Sequence, residues 1–109
     1  MTEATWIRAD GRNEKVKPKN GTHFTLEELQ TYVGGYIERV ELQNNEEMWL
    51  NEEGKLLGLP INHHATAISG LVPYDVIVGD VLVGDWKLFR DPEEIDECVK
   101  EFEDCNPRN

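Results

Sequence analysis

Residues 24–43, with the sequence FTLEELQTYVGGYIERVELQ, contain the clearest folding signals in the chain. Thr25 and Glu28 have the spacing of a capping box, in which the Thr25 hydroxyl accepts from the Glu28 amide and the Glu28 carboxylate accepts from the Thr25 amide. Four apolar or aromatic residues then share one helical face: Leu26, Leu29, Tyr32 and Val33. Gly34 supplies the left-handed residue that often follows a last helical turn. The stretch therefore predicts a short helix that begins after Thr25 and ends at Gly34.

After Gly35 the hydrophobic pattern changes to the period of two that is typical of a strand. One face of this strand is apolar except for one charge: Tyr36, Glu38, Val40 and Leu42. A charged residue within that face indicates either a strand end or a contact with a ligand or partner. Asn44-Asn45 is a turn signal, so residues 36–43 and 47–51 are predicted to form an antiparallel hairpin.

The rest of the chain predicts further short elements around this unit. Thr5–Arg8 is the expected first strand, and Asn62 is the expected N-cap of a short helix. Gly54 is expected to have a positive φ in a turn, and Leu56–Leu59 is expected to add a third short strand to the hairpin. Residues 74–83 contain two apolar triplets around a Gly-Asp pair, which predicts either a hairpin or one bulged strand.

The C-terminal residues predict a last helix. Asp91, Pro92 and Glu94 combine an N-cap, a first-turn proline and a second capping box. The apolar stripe of this helix comprises Ile95, Cys98, Val99 and Phe102. The predicted fold class is therefore α+β: an antiparallel sheet of about four to six strands with two or three helices, the C-terminal amphipathic helix packing on the sheet. We expect a single domain over residues 1–109, with residues 106–109 as a frayed tail.

Acidic residues outnumber basic residues by 22 to 11, which gives a formal net charge of −11. Such a charge opposes nonspecific contact with nucleic acid or with anionic lipid. It either serves solubility alone or suits a protein that meets a basic surface, including one that normally holds DNA. The sequence has no apolar run of membrane-spanning length and no signal-peptide layout at its start, so we expect a cytoplasmic protein that does not contact membranes.

No reactive constellation stands out. His63 and His64 are adjacent, so on a helix they diverge by about 100° and cannot simply share a metal ion. Cys98 and Cys105 belong to a stretch rich in carboxylates, which disfavours a reactive thiolate. The hydroxyl residues lie in no recognised nucleophile motif. We therefore expect no catalytic residues, no metal site and no cofactor, and hence a protein that is not an enzyme.

Several residues are candidates to bind a ligand. Five of the eleven basic residues occur near the N-terminus, as a phosphate-contacting arm or as a solvated hairpin that balances acidic neighbours. The start of the helix after Asn62 presents amides that attract anions. Tryptophan side chains suit stacking on a flat ligand, although they also suit a core or an interface. The candidate ligand-binding residues are Trp6, Arg8, Lys15, Lys17, Asn62, His64, Thr66 and Trp86.

Six short motifs occur in a characteristic order over about residues 24–85. They are FTLEELQ at 24–30, VGGYIE at 33–38, EGKL at 53–56, GLPIN at 58–62, Ala65-Thr66 and DVIVGDVL at 75–82. Together they resemble a family of small domains of unknown function that is common in bacteriophages and conjugative elements. The resemblance implies an accessory protein of a mobile element, and many such proteins counter host defence.

These observations lead to two main hypotheses. The first is a non-enzymatic phage or mobile-element protein that sequesters a host nucleotide signal, such as a cyclic dinucleotide, in a pocket of a homo-oligomer in the host cytoplasm. The alternative is an acidic inhibitor or DNA mimic that binds the nucleic-acid site of a host defence protein. A third hypothesis is an enzyme that acts on nucleotides. Direct binding to nucleic acid is not expected.

Overall fold

The computed structural model describes residues 3–70 and 75–90. Within these ranges the elements in chain order are β1 (Ala4–Ile7), β2 (Asn13–Val16), α1 (Leu26–Val33), β3 (Ile37–Glu41), β4 (Glu46–Asn51), α2 (His63–Ser69), β5 (Val81–Asp85) and the 3₁₀ helix Trp86–Phe89. The strands form one sheet in the order β2-β1-β5-β4-β3, and every neighbouring pair is antiparallel. The predicted α+β class is confirmed. The predicted C-terminal helix and the frayed tail lie outside the described residues.

Alternating side chains of the sheet build a hydrophobic cluster on each of its faces. The face that packs against α2, called the α2 face, buries Ile7, Met48, Leu50, Ala65, Ile77, Val81 and Val83. The opposite face, called the α1 face, buries Ala4, Phe24, Leu29, Leu82, Leu88 and Phe89. β5 contributes to both clusters and lies at the centre of the sheet. β2 and β3 carry charged side chains and lie at its edges, where such residues remain solvated.

The start of α1 has the predicted capping box. The Glu28 amide donates to Thr25 Oγ1 at 3.3 Å, and the Thr25 amide donates to Glu28 Oε1 at 3.0 Å. Gly34 ends the helix with a left-handed φ of 84°. The helix places Leu26, Leu29 and Val33 on one face as predicted, but Leu29 and Val33 are buried whereas Leu26 exposes 58% of its surface. Leu26 is the first residue of the helix, and its side chain leans toward the helix N-terminus, away from the following turns.

Glu28 makes the stability of this helix start dependent on pH. Partial burial raises the pKa of its carboxyl group, but hydrogen bonds from the amides of Thr25 and Lys19 outweigh burial and lower the pKa overall. A lowered pKa in the folded state means that the carboxylate stabilises the fold above its unfolded pKa and ceases to do so as the pH falls through the folded value.

We expect Glu28→Gln to lower the free energy of unfolding by about 0.5–1 kcal/mol at pH 7, because the neutral amide accepts the two backbone hydrogen bonds more weakly. The difference from the wild-type chain should shrink below about pH 4, where the wild-type carboxyl group also becomes neutral. Urea unfolding at pH 7 and pH 3 measures both values. A difference of the same size at the two pH values would contradict this role of Glu28.

The β3–β4 hairpin and the short helix α2 are confirmed. Ile37 of β3 lies opposite Asn51 of β4, and both Asn44 and Asn45 in the connecting turn have a φ of 64°. The Leu42 amide donates to Glu46 O, so residues 43–45 form the loop, and asparagine tolerates the left-handed conformation that two of these positions adopt. α2 follows its predicted N-cap, Asn62.

The prediction of a third strand at Leu56–Leu59 is wrong. This segment forms turns, in which the Leu57 amide donates to Glu53 O at 2.9 Å. The prediction of a positive φ at Gly54 is also wrong. A Cβ atom at this position would lie only 2.8 Å from Val78 Cγ2. Glycine is therefore required at position 54 by close packing rather than by the conformation of a turn.

The described part of the predicted segment 74–83 is neither a hairpin nor one bulged strand. Val78 pairs with Ile61 in an isolated bridge, and the chain then turns at Gly79, whose φ is 81°. β5 begins at Val81 and pairs with β1 and β4. The two apolar triplets thus have different pairing partners, which an apolar pattern alone does not reveal.

Candidate functional site

Two candidate ligand-binding residues, Asn62 and Thr66, are buried and use their polar atoms inside the fold. Asn62 Nδ2 donates to two main-chain carbonyl oxygens, each at 2.9 Å, and its Oδ1 accepts from the Ala65 amide at 3.0 Å. Thr66 Oγ1 donates to Asn62 O at 2.8 Å and accepts from the Ile77 amide at 2.8 Å. These contacts hold α2 on the sheet and direct both side chains inward.

Trp6 and Arg8 form a stacked pair at β1. The Cζ atom of Arg8 lies 4.3 Å from the centroid of the Trp6 ring, which is a cation–π distance. The Trp6 ring also meets Tyr32 edge-on, and its Nε1 donates to Tyr32 O at 3.2 Å. Arg8 Nε lies 3.7 Å from a carboxylate oxygen of Asp80. One face of the indole is therefore occupied by Arg8, which a stacking ligand would have to displace.

The remaining basic candidates lie along β2, at the edge of the sheet. Lys15 Nζ donates to Thr5 Oγ1 at 2.9 Å, and Lys17 is exposed directly after the strand. His64 Nδ1 lies 3.2 Å from Asn13 Nδ2. Part of the basic N-terminal segment thus forms the β1–β2 hairpin, and a role of its lysines in contacting a phosphate stays a prediction.

Trp86 lies near β3 and β4, toward the edge of the sheet opposite β2, and lines an open cleft of about 440 Å³. The residues that line it are Arg39, Glu41, Leu42, Asn45, Glu46, Glu47, Trp86 and Arg90. These side chains come from β3, the β3–β4 turn, the start of β4, and the 3₁₀ helix with Arg90, the residue that follows it. We call it the Arg39–Arg90 cleft. Its volume is within the range of small-molecule sites, which is about 300–1,000 Å³.

A buried carboxylate organises the Arg39–Arg90 cleft. The Glu47 side chain is 5% exposed. Arg90 contacts both of its oxygens, with Nη2 to Oε2 at 2.8 Å and Nη1 to Oε1 at 3.2 Å, which is a bidentate arrangement. Arg39 Nη1 donates to the same Glu47 Oε2 at 2.9 Å and to Glu41 Oε2 at 3.1 Å. The hydrogen bond to Glu47 raises the pKa of Arg39, so its positive charge is held firmly.

Both guanidinium groups can make further contacts. The side chains of Arg39 and Arg90 are 39% and 24% exposed. Each guanidinium carries five N–H donors in a rigid fork, and Glu47 and Glu41 accept from a few of them. Planar donors of this kind recognise phosphate and carboxylate oxygens, and the half-buried indole of Trp86 lies beside them. The cleft is therefore suited to an anion that is attached to a flat ring.

A second cleft, of about 380 Å³, lies at the start of α1. Its lining includes Lys19 and Tyr32 but also Glu27 and Glu28, and Glu28 Oε2 already accepts from the Lys19 amide at 3.0 Å. A lysine is a mobile point charge, whereas an arginine held by a buried carboxylate is fixed in orientation. The Arg39–Arg90 cleft is accordingly the better candidate for an anionic ligand.

Sequence reasoning included Trp86 but missed Arg39, Glu47 and Arg90. The predicted β3–β4 hairpin contains a signal for one of these contacts, because Glu47 lies opposite Glu41 and hence diagonal to Arg39 on the same face. Arg90 is 43 residues from Glu47 in sequence, and no local pattern connects them. The structure therefore separates Trp86 from the other candidate residues and places it with side chains that were not candidates.

Two further properties concern residues 3–70 and 75–90 alone. They contain no group of three or more His, Cys, Asp or Glu side chains placed to hold a metal ion. Neither of their α-helices combines the length and the apolar character that crossing a membrane requires.

The chain is similar to a known family of protein domains. The model of a family described as Domain of unknown function (DUF3846) matches residues 7–103. This range begins at the last residue of β1, includes β2, and is wider than the resemblance over about residues 24–85. No curated protein and no solved structure matches the chain.

Proposed function

The chain belongs to the DUF3846 family of domains of unknown function, and we propose that it is a non-enzymatic binding protein that sequesters a nucleotide signal in the Arg39–Arg90 cleft. The ligand class that we propose is a cyclic dinucleotide. In the phage or mobile element implied by the resemblance, sequestration in the host cytoplasm counters a defence that depends on such a signal.

The observation that carries this proposal is the pair of guanidinium groups fixed by one buried carboxylate. Glu47 holds Arg39 and Arg90 at 2.9 and 2.8 Å without shielding them fully from solvent. Their orientation is therefore set before a ligand arrives, which reduces the entropy that binding would cost. A phosphate can contact the remaining N–H groups while its base stacks on Trp86.

The charge of the cleft narrows the ligand class. Its two arginines are accompanied by three glutamates, of which Glu41 is 75% exposed. A phosphate monoester carries a charge of about −1.5 to −2 at pH 7 and would be repelled by this surplus of carboxylates. A phosphodiester carries a single negative charge and is repelled less. Exposed carboxylates such as Glu41 and Glu46 can also accept hydrogen bonds from the amino groups of a base.

We expect cyclic dinucleotides to raise the melting temperature of the protein more than nucleoside triphosphates do, because binding to the folded state alone increases its stability. A thermal shift panel followed by calorimetry measures this. Arg90→Lys keeps the charge but loses the planar fork, so it should weaken binding by about tenfold or more.

The control is Lys15→Glu combined with Lys17→Glu, since β2 lies at the opposite edge of the sheet from β3. This variant should bind as the wild-type chain does. If it loses binding while Arg90→Lys retains it, the N-terminal hairpin rather than the Arg39–Arg90 cleft is the site.

The fate of the ligand separates the main hypotheses. Sequestration predicts that the nucleotide is recovered intact, in a fixed ratio to protein, after denaturation and mass spectrometry. Repeated conversion of the nucleotide would overturn the proposal in favour of an enzyme. No shift with any nucleotide, together with salt-sensitive capture of a basic host protein, would favour the acidic inhibitor, for which the net charge of −11 is the supporting observation.

A further inference from the structure

The outer edge of β3 presents backbone groups that no described residue pairs with. β3 is the last strand of the sheet order, and its inner edge pairs with β4. The Leu42 amide donates to Glu46 O, and the Glu52 amide donates to Tyr36 O. Hydrogen-bonded pairs alternate along an antiparallel ladder. The N–H and C=O groups of the even-numbered residues of β3 therefore point toward β4. The N–H and C=O groups of Ile37, Arg39 and Glu41 consequently point away from the sheet.

The charges along this edge select one way of adding a strand. When two copies of β3 pair antiparallel about a two-fold axis, opposing residues lie on the same face of the combined sheet. An axis at Glu38, Arg39 or Glu41 would place like charges opposite each other. An axis at Val40 places Arg39 of each copy opposite Glu41 of the other, on the α1 face. With this axis, Arg39 of one copy and Glu41 of the other also exchange backbone hydrogen bonds, because the backbone groups of both residues point outward.

We propose that a second copy of this chain pairs antiparallel along β3, with Val40 on the two-fold axis and two reciprocal Arg39–Glu41 pairs. The dimer joins two five-stranded sheets into one continuous sheet. This inference specifies a surface and a register, and it does not depend on the identity of any ligand.

The other edge of the sheet has the opposite character. The Arg8 amide donates to Arg12 O, so the odd-numbered residues of β2 point their backbone groups outward. At this edge Lys15 and Lys17 have the same charge, and Pro18 follows without an N–H donor. Lysine and proline are typical of edges that resist pairing. β3 has no proline, and Arg39 and Glu41, whose backbone groups point outward, have opposite charges, so β3 is the edge that suits a second copy.

The proposed dimer also completes the candidate site, and this consequence rests on the proposed function. Arg39 and Glu41 line the Arg39–Arg90 cleft and also form the dimer pairs. The two clefts therefore meet on one face of the joined sheet. From strand spacing and rise, the two Arg39 Cα atoms would be roughly 8 Å apart. A two-fold symmetric ligand such as a cyclic dinucleotide would contact both copies, with one ligand bound per two chains.

Cysteine substitution tests the register directly. In full-length protein with Cys98→Ser and Cys105→Ser, single cysteines are placed at position 38, 39 or 40 and oxidised. Residues on the axis in a non-hydrogen-bonded pair have Cα atoms about 4.5 Å apart, which a disulfide can bridge. We expect Val40→Cys to form covalent dimers at least tenfold faster than Glu38→Cys or Arg39→Cys. Fastest cross-linking at position 38 or 39, or no covalent dimer from any variant, would overturn the proposal.

Charge reversal tests the same interface without a cross-link. Glu41→Lys places like charges opposite each other twice, and we expect it to raise the dimer dissociation constant by about tenfold in sedimentation velocity. Glu38→Lys is the matched control, because it makes the same charge change on the same strand but faces no charge across the axis. It should change the constant by less than about twofold. Equal effects of both, or a monomeric wild-type chain, would contradict the interface.

Ligand binding is measured separately on the oxidised Val40→Cys dimer with a cyclic dinucleotide. A dimer that forms in the proposed register but binds no nucleotide would refute the proposed function and leave the interface standing. A monomer that binds one nucleotide per chain would refute the interface and leave the proposed function standing.

Discussion

Asn62→Ala is expected to lower the free energy of unfolding by about 3–4 kcal/mol, the largest effect of any single change proposed for this chain. Asn62 is 1% exposed and makes three hydrogen bonds with its side chain. Its Nδ2 donates to Ile7 O and to Gly79 O, while its Oδ1 accepts from the Ala65 amide. Alanine leaves two carbonyl oxygens and one amide buried without these partners, and each such loss costs about 1–3 kcal/mol before the structure relaxes.

The size of this loss in unfolding free energy shows whether Asn62 links several elements of the fold or only caps α2. Asn62 joins three parts of the fold: the end of β1, the turn at Gly79 and the start of α2. Asn62→Asp retains the cap acceptor but replaces Nδ2 by a carboxylate oxygen, which then faces two carbonyl oxygens. It should therefore destabilise the fold nearly as much as alanine does, whereas a cap without further contacts would tolerate aspartate.

Urea unfolding at pH 7 provides the measurement, and Thr25→Ala provides the control. Thr25 caps α1 but is exposed, so its loss should cost about 1 kcal/mol. Destabilisation of Asn62→Ala by no more than Thr25→Ala would show that the contacts to Ile7 and Gly79 contribute little.

The helix caps and the turn residues show which parts of the fold the sequence can predict, and why. The caps of α1 and α2 and the turn at Asn44-Asn45 are specified by residues within about four positions of each other, and all are observed. The wrong predictions concern contacts across the fold. Gly54 is required by its proximity to Val78, and β5 pairs with strands that come from distant parts of the chain. Such constraints depend on the order of strands, which hydrophobic patterning does not determine.

The candidate site follows the same rule. Asn62 was recognisable as a cap, but its two donors to main-chain carbonyl groups become apparent once β1 and the turn at Gly79 are adjacent. Likewise, the predictable β3–β4 hairpin brings Arg39 close to Glu47, whereas the 3₁₀ helix after β5 brings Arg90 to the same carboxylate. When a site is built from several strands, its charged residues are far apart in the sequence. The sequence alone therefore does not show that they contact one another.

Glu47→Ala is the second change with a large expected effect, a loss of about 2 kcal/mol in the free energy of unfolding. Removing one partner of a fully buried ion pair typically costs about 3–5 kcal/mol, because the remaining charge stays desolvated. Here the partners retain contact with water, since Arg39 and Arg90 are 39% and 24% exposed, so the cost is smaller. Glu41→Ala is the control, because Glu41 contacts the same Arg39 but is 75% exposed and should cost less than about 0.5 kcal/mol.

An added anion should reveal whether the two guanidinium groups are arranged to bind one. In Glu47→Ala they lose their shared carboxylate, and sulfate can take its place between them. Sulfate also stabilises proteins generally by exclusion from their surface, so the informative quantity is the difference between variants. We expect sulfate to raise the melting temperature of Glu47→Ala by several degrees more than that of the wild-type chain or of Glu41→Ala. An equal rise in all three proteins would mean that Arg39 and Arg90 do not form an anion site, and the proposed function would lose its main support.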